Sequence, residues 1–522
     1  MSERARPLLP LLLLAFALLA APLTAQPPAT SLAQPPKPVA DEKEDKEKKP
    51  APVEKTSRTQ HSITLDGEKI PYTATAGTIL LKDEDGTPKA TLFYIAYTRD
   101  GVKDPATRPV TFSFNGGPGA ASLWVHMGAF GPKRVERDDE GLTGAAPPGR
   151  LIDNDLSILD ETDLVFIDPV DTGFSRTVPG EDPKQFHGVR QDVEAVGEFI
   201  RLWTTRNERW ASPKLIAGES YGTTRAAGLA HHLAERYGMQ LNGLVLVSSV
   251  LNWQNQEFNV GNDIVYIIHL PTYTATAWYH KKLAPELQRD LKATLAEVES
   301  FVLNEYALAL LQGDRLPAER RREIAAKVAR YTGLSPEYVE RSNLRIEIFR
   351  FTKELLRDQG KTVGRLDTRF TGRDLDAAGE EFEFDPSSVA LDGPYSAAIN
   401  DYIRRELKFQ EDLVYERLSR RVWPWSFSGA ENRYLNMAET LRQAMTRNPH
   451  LKVLVTSGYY DLATPYFDAF YTVDHLGLPP ELRGNVRITT YEAGHMMYIR
   501  KADHRKLKQD IVELLQEAGA GR

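Results

Sequence analysis

The 522-residue sequence predicts an α/β protein with a mostly parallel central sheet, antiparallel strands at its N-terminal side and a largely helical insertion. Three observations carry that prediction. Short apolar runs at 110–114, 164–167, 214–217, 243–247 and 452–455, with a last run at 486–490, alternate with loops or helical patterns, as strands buried on both faces require. Between 61 and 98, strand-like runs at 62–65 and 90–97 are punctuated by Asp66-Gly67 and Asp85-Gly86, which reads as antiparallel strands opening the sheet. The interval between Val247 and Lys452 is far longer than a crossover needs, so a segment is inserted there.

Taken in order, the chain begins with Arg4 and Arg6 ahead of an apolar stretch from Leu8 to Ala21, broken only by Pro10. This reads as a signal peptide over 1–25, with small residues near Ala21 and Ala25 for cleavage and too few apolar residues for a comfortable membrane span. Residues 26–58 are Pro, Ala, Lys and Glu with scarcely a large apolar side chain, a composition that cannot bury enough surface to order itself. They read as a flexible tether. The expected α/β core covers 59–281 and 421–522, and the helical cap 282–420. Within the cap, Leu287, Leu291, Leu295, Val298 and Val302 keep helical spacing, and Ser335-Pro336-Glu337 is a helix start. An insertion above the carboxyl ends of a parallel sheet is placed to act as a lid.

Composition narrows the function classes. A net charge of −7 and a pI near 6.0 leave no basic footprint for nucleic acid. The sequence has no cysteine, which excludes disulfides, thiolate metal sites, a cysteine nucleophile and a lipidated cysteine. No metal or organic cofactor is implied. An export signal without disulfides points to a bacterial periplasmic or secreted protein with no membrane span once the signal is removed.

The pentapeptide Gly218-Glu219-Ser220-Tyr221-Gly222 fits a nucleophile elbow, because an apolar run precedes it and a helical pattern over 223–237 follows it. Such a turn pushes the serine hydroxyl out above the sheet, and the following helix aims its positive N-terminal end at an oxyanion formed there. A serine hydroxyl needs a base, and the base a carboxylate. His495, in Glu492-Ala493-Gly494-His495-Met496 directly after the final strand, is the best-placed base; His450, His475 and His504 occupy poorer positions. Asp461, after the strand at 452–455, is the first candidate acid and Asp468 the second. The Tyr221 amide and the loop Asn115-Gly116-Gly117-Pro118-Gly119 supply oxyanion donors.

Those segments, with Asp168-Pro169 to Ser175 between them, resemble in order the signatures of the serine carboxypeptidase family of α/β-hydrolases, from Val110 to about Tyr498. The resemblance implies Ser220, Asp461 and His495 as the triad and the Gly117 and Tyr221 amides as the oxyanion hole. It implies that Asn115 and Glu219 recognise the carboxylate of a peptide with a free C-terminus, and Met496 is placed to line the pocket of the leaving residue. Two positions depart from the pattern: Ser113 stands where the family has Trp, and Ala120 where it has Cys. The expected activity is a serine-type carboxypeptidase favouring acidic pH. An esterase or acyltransferase on the same residues is the alternative, and a non-catalytic envelope binding protein the second.

Overall fold

Ten strands build the central sheet. In the computed structural model, which describes residues 52–520, they are β1 (Thr56–Leu65), β2 (Glu68–Lys82), β3 (Pro88–Arg99), β4 (Val110–Phe114), β5 (Asp163–Ile167), β6 (Arg176–Thr177), β7 (Lys214–Glu219), β8 (Gly243–Val247), β9 (Lys452–Gly458) and β10 (Val486–Tyr491). Their order is β1-β2-β3-β5-β4-β7-β8-β9-β10, with β6 pairing β3 off this path. The pairs β1–β2, β2–β3 and β3–β5 are antiparallel, and every pair from β5–β4 to β9–β10 is parallel. This is the α/β-hydrolase fold.

The signal peptide read at 1–25 and the tether as far as residue 51 lie outside the described residues. β1 begins at Thr56, inside the stretch read as tether, because Thr56, Ser57 and Arg58 pair with Gly77, Ala76 and Thr75 of the long strand β2.

Alternation along the buried strands divides the core between the two faces. Leu215 and Ala217 of β7 join one apolar cluster and Ile216 the other. Helices α1 (Val189–Arg206) and α2 (Tyr221–Tyr237) cover one face with the helix Met437–Arg447; the helices Pro386–Arg405 and Lys501–Glu517 cover the other.

The chain reverses its direction of growth around β4, which lies between β5 and β7. The carboxyl ends of β4 and β7 are therefore neighbours, with Phe114 opposite Gly218. A crevice outside the strand ends at such a switch point is where open α/β sheets bind ligands.

The region read as one cap at 282–420 packs as two units. Helix α3 (Ile264–Tyr279), upstream of that boundary, and the chain as far as Val363 form their own apolar cluster with Tyr460, Leu462, Tyr466 and Phe467. The helix Pro386–Arg405 instead buries Leu391, Tyr395, Ile399 and Tyr402 against the sheet. The helix expected from the Leu287 spacing starts at Leu291, because Asp290 caps it by accepting from the Ala293 amide. Ser335 caps Pro336–Arg341 in the same way through Tyr338. The returning chain is stitched to the core by isolated backbone bridges, Gly173 to Glu416, Ala120 to Leu418, Gly188 to Ser426 and Asn252 to Asn436. Among the described residues no helix is long and apolar enough to cross a membrane.

Candidate active site

Ser220 sits at the tip between β7 and α2 with φ 61° and ψ −130°. That is a rare conformation for a residue with a Cβ and stores local strain. It is held there from both sides: the Ser220 amide donates to Val247 O at 2.9 Å, and Ser220 O accepts from the Thr223 amide at 2.8 Å. Among the described residues the hydroxyl makes no hydrogen bond, so it is free to meet a ligand.

The loop after β4 comes against this turn. A Cβ on Gly116 would lie 2.4 Å from Tyr221 N and 2.5 Å from Gly222 N, so only glycine permits the approach. Neither the Gly117 nor the Tyr221 amide donates to any group among the described residues. Two amides without partners thus flank the turn at Ser220, one per loop.

Asp461 and His495 are brought together by β9 and β10. Asp461 Oδ2 and His495 Nδ1 are 2.7 Å apart, both residues buried, while Asp468 lies elsewhere, accepting from Asn255 and Gln256. The Asp461 carboxylate also accepts from the amides of Ala463 (2.8 Å) and Thr464 (3.0 Å) and from the Thr464 hydroxyl (2.6 Å). Burial works against a charged imidazole, but the Asp461 carboxylate outweighs it with help from Glu219, and the pKa of His495 stands above its ordinary value. Backbone contacts fix the ring: His495 N donates to Leu366 O at 2.7 Å and His495 O accepts from Ser248 Oγ at 2.6 Å.

Beside Ser220, Asn115 Nδ2 donates to Glu219 Oε1 at 2.8 Å and the Tyr498 hydroxyl donates to Glu219 Oε2 at 2.6 Å. The amide orientation is set because Asn115 Oδ1 accepts from the Trp124 and Val125 amides, both at 3.1 Å. Burial raises the Glu219 carboxyl to about 7, against the opposing pull of His495 and of its two hydrogen-bond donors.

A cavity of 670 Å³ joins these groups. Asn115, Gly117, Glu219, Ser220, Tyr221, His495 and Met496 all line it; Asp461 lies fully buried behind His495. Serine, imidazole, free amides and a raised carboxyl on one cavity can perform acyl transfer. A family model described as serine carboxypeptidase matches residues 71–507.

The chain belongs to the serine carboxypeptidase family. Serine carboxypeptidase-like 36 of Arabidopsis thaliana is 30% identical over 170 residues, which are 32% of this chain and 33% of that protein. Serine carboxypeptidase-like 33 of the same plant is 29% identical over 141 residues, 26% of this chain and 27% of that protein. The match thus spans about a third of those curated relatives. Among solved structures, a prohormone-processing carboxypeptidase from Saccharomyces cerevisiae shares the fold with a TM-score of 0.52 at 14% identity, over 86% of this chain and 91% of that one.

Several groups around the carboxypeptidase-family cavity escaped the reading of the sequence. Tyr498, three residues past His495, completes the Glu219 cluster; an aromatic side chain there gave no chemical signal. Arg225 on α2 pairs with Asp192 at 2.8 Å, donates to Asn115 O at 2.8 Å and stacks over Phe114, locking the loop after β4 to the elbow helix. Its place among alanines on the apolar face of α2 was the available clue. Asp168, from the signature at 168–175, is absent from the cavity wall and holds the Ser122 amide at 2.8 Å beneath the glycine loop.

Proposed function

We propose that the protein is a serine-type carboxypeptidase that releases C-terminal amino acids from peptides. The observation that carries this reading is the buried Asn115–Glu219–Tyr498 cluster beside Ser220. A peptide carboxylate cannot share a buried site with an ionised carboxylate, whereas a protonated Glu219 donates a hydrogen bond to it, with Asn115 beside it. Tyr498 can turn its hydroxyl to suit either state.

Ser220 Oγ then adds to the carbonyl carbon of the last peptide bond as His495 takes its proton, with Asp461 holding the imidazole in the right tautomer. The Gly117 and Tyr221 amides hold the oxyanion. The C–N bond breaks, the proton passes from His495 to the leaving amine, and water repeats the sequence on the acyl-enzyme to regenerate Ser220. Met496 lines the wall beside the leaving residue. As pH rises through about 7, Glu219 ionises and repels the substrate, so KM for a peptide acid rises and acidic conditions are favoured. The basic, apolar N-terminal stretch supports export to a bacterial periplasm or medium.

The test offers blocked dipeptides with free and with amidated C-termini across pH, together with a fluorophosphonate probe. Cleavage at least tenfold faster for the free acid at pH 5, and labelling lost in Ser220→Ala, are expected. Equal rates on both peptides with fast ester turnover mean an esterase or acyltransferase, and an unlabelled wild-type protein means a binding protein. Labelling that persists in Ser220→Ala overturns the choice of nucleophile.

A further inference from the structure

Arg365 lies on the loop between the short paired strands Thr362–Val363 and Thr371–Gly372, far in sequence from every residue assigned a role above. Its backbone is fixed: the amide donates to Asp385 Oδ1 at 3.1 Å, and the carbonyl accepts from the Leu462 amide at 3.0 Å. The next carbonyl, Leu366 O, is the one that accepts from His495 N, so the loop is built into the wall beside the base.

The side chain of Arg365 lines the catalytic cavity, and its charge is felt at both His495 and His269. Among the described residues it enters no ion pair, and its Nε is buried with no hydrogen-bond partner. The other cations on the wall differ: Arg417 is neutralised by Asp392 at 2.9 Å, and Arg420 is exposed at the rim, as is Glu257. His269 lines the same wall, its Nδ1 engaged with Val265 O at 2.8 Å. A guanidinium is always charged, and burying its N–H without an acceptor is unfavourable unless a ligand supplies one.

We infer that Arg365 forms a subsite for a carboxylate side chain, so that the enzyme selects peptides carrying Asp or Glu among the two residues that flank the scissile bond. This rests on the carboxypeptidase reading for the orientation of the peptide. The planar fork of Arg365 matches a side-chain carboxylate in two-point contact, which an amide cannot reproduce. The cluster at Asn115 and Glu219 remains for the main-chain carboxylate, so the two anionic groups of such a peptide have separate partners.

Binding separates the subsite from turnover. N-acetylated dipeptide acids with Glu, Gln or Leu at either position are titrated calorimetrically into the full-length Ser220→Ala protein, with and without Arg365→Met or Arg365→Lys. Glu is expected to bind about tenfold more tightly than Gln at one of the two positions, with the ratio falling to about one in Arg365→Met and only in part in Arg365→Lys. Equal affinity for Glu and Gln at both positions overturns the inference, and so does a loss in Arg365→Met as large for the Leu-Leu peptide as for the Glu peptide. The latter would mean that Arg365 holds the main-chain carboxylate. Should the wild-type protein bind Glu selectively yet turn over only esters, the subsite stands and the peptidase reading falls. Thermal melts of both variants verify folding, and the charge-conserving Arg365→Lys keeps the test decisive if Arg365→Met does not fold.

Discussion

The two walls of the catalytic cavity are built in opposite ways. On the Ser220 wall, neighbouring segments of the sheet do everything: β7 turns into α2, the loop after β4 docks against that turn, and Arg225 clips the two together. On the His495 wall, the local strand ends supply only the side chains, while the inserted segment holds them. Leu366 O takes the His495 amide, Asp367 Oδ2 takes the Gly494 amide at 3.2 Å, and a Cβ on Gly494 would lie 2.5 Å from Asp367 Cα. The geometry of Ser220 is thus a property of a short stretch of chain, and that of His495 a property of the whole fold. The insertion is structural support for His495.

The largest expected effect tests the chemistry both walls serve. Asp461→Asn leaves the shape but misorients the imidazole proton, and kcat should fall about 10⁴-fold, as for the equivalent change in other triads. Next, Gly116→Ala breaks the Ser220 wall by forcing backbone against backbone at the elbow, and should lower kcat about 10²- to 10³-fold through the oxyanion amides. Wild-type kcat in the Gly116→Ala protein would mean that the glycine loop does not bear on the reaction. A smaller change probes the opposite wall: Asp385 accepts from the Arg365 and Leu366 amides and caps Pro386–Arg405. Asp385→Ala should cost about 1 kcal/mol in stability and lower kcat by about tenfold, with KM for a neutral peptide less affected. A stability loss with unchanged kcat would show that the insertion braces the fold without positioning His495.

The same contrast decides what could be read in the sequence. The Ser220 wall was legible because its requirements are local: an apolar run, a small-residue turn and a helix with its apolar stripe lie within about twenty-five residues of one another. Gly238, directly after the predicted pattern at 223–237, ends that helix in the left-handed conformation. The parallel sheet was legible for the same reason in Val110–Phe114 and Gly243–Val247. Leu366, Asp367, Arg365 and Tyr498 were not, because their roles exist only once distant segments meet, and an isolated backbone carbonyl carries no side-chain signature. His504 shows the complementary failure. Its charged neighbours give no sign of burial, yet it is 3% exposed and bonds to Ala129 O, since Asp503, His504, Leu507, Ile511 and Leu514 share one face of Lys501–Glu517.

A last effect, on stability rather than rate, sharpens the comparison at the point where the walls meet electrostatically, between Glu219 on one and His495 on the other. Burial lifts the Glu219 carboxyl from 4.5 to about 7, while His495 and the donors Tyr498 and Asn115 pull it back. The folded protein therefore holds this proton more tightly than the unfolded chain does. The stabilising contribution is complete below pH 4.5, declines as pH climbs through the interval, and is lost above about 7. Glu219→Gln keeps the shape and cannot ionise. Urea unfolding from pH 4 to pH 8 should show the wild-type protein losing stability relative to Glu219→Gln as pH rises, by on the order of 3 kcal/mol in total. His495 titrates in both proteins, so its own contribution cancels apart from its coupling to Glu219. Parallel stability curves would mean that the carboxyl ionises as freely in the folded protein as in the unfolded one, and the proposed acid preference would lose its source, leaving His495 as the group that titrates. That base predicts the opposite slope, because protonating it at low pH removes the proton acceptor and lowers kcat/KM.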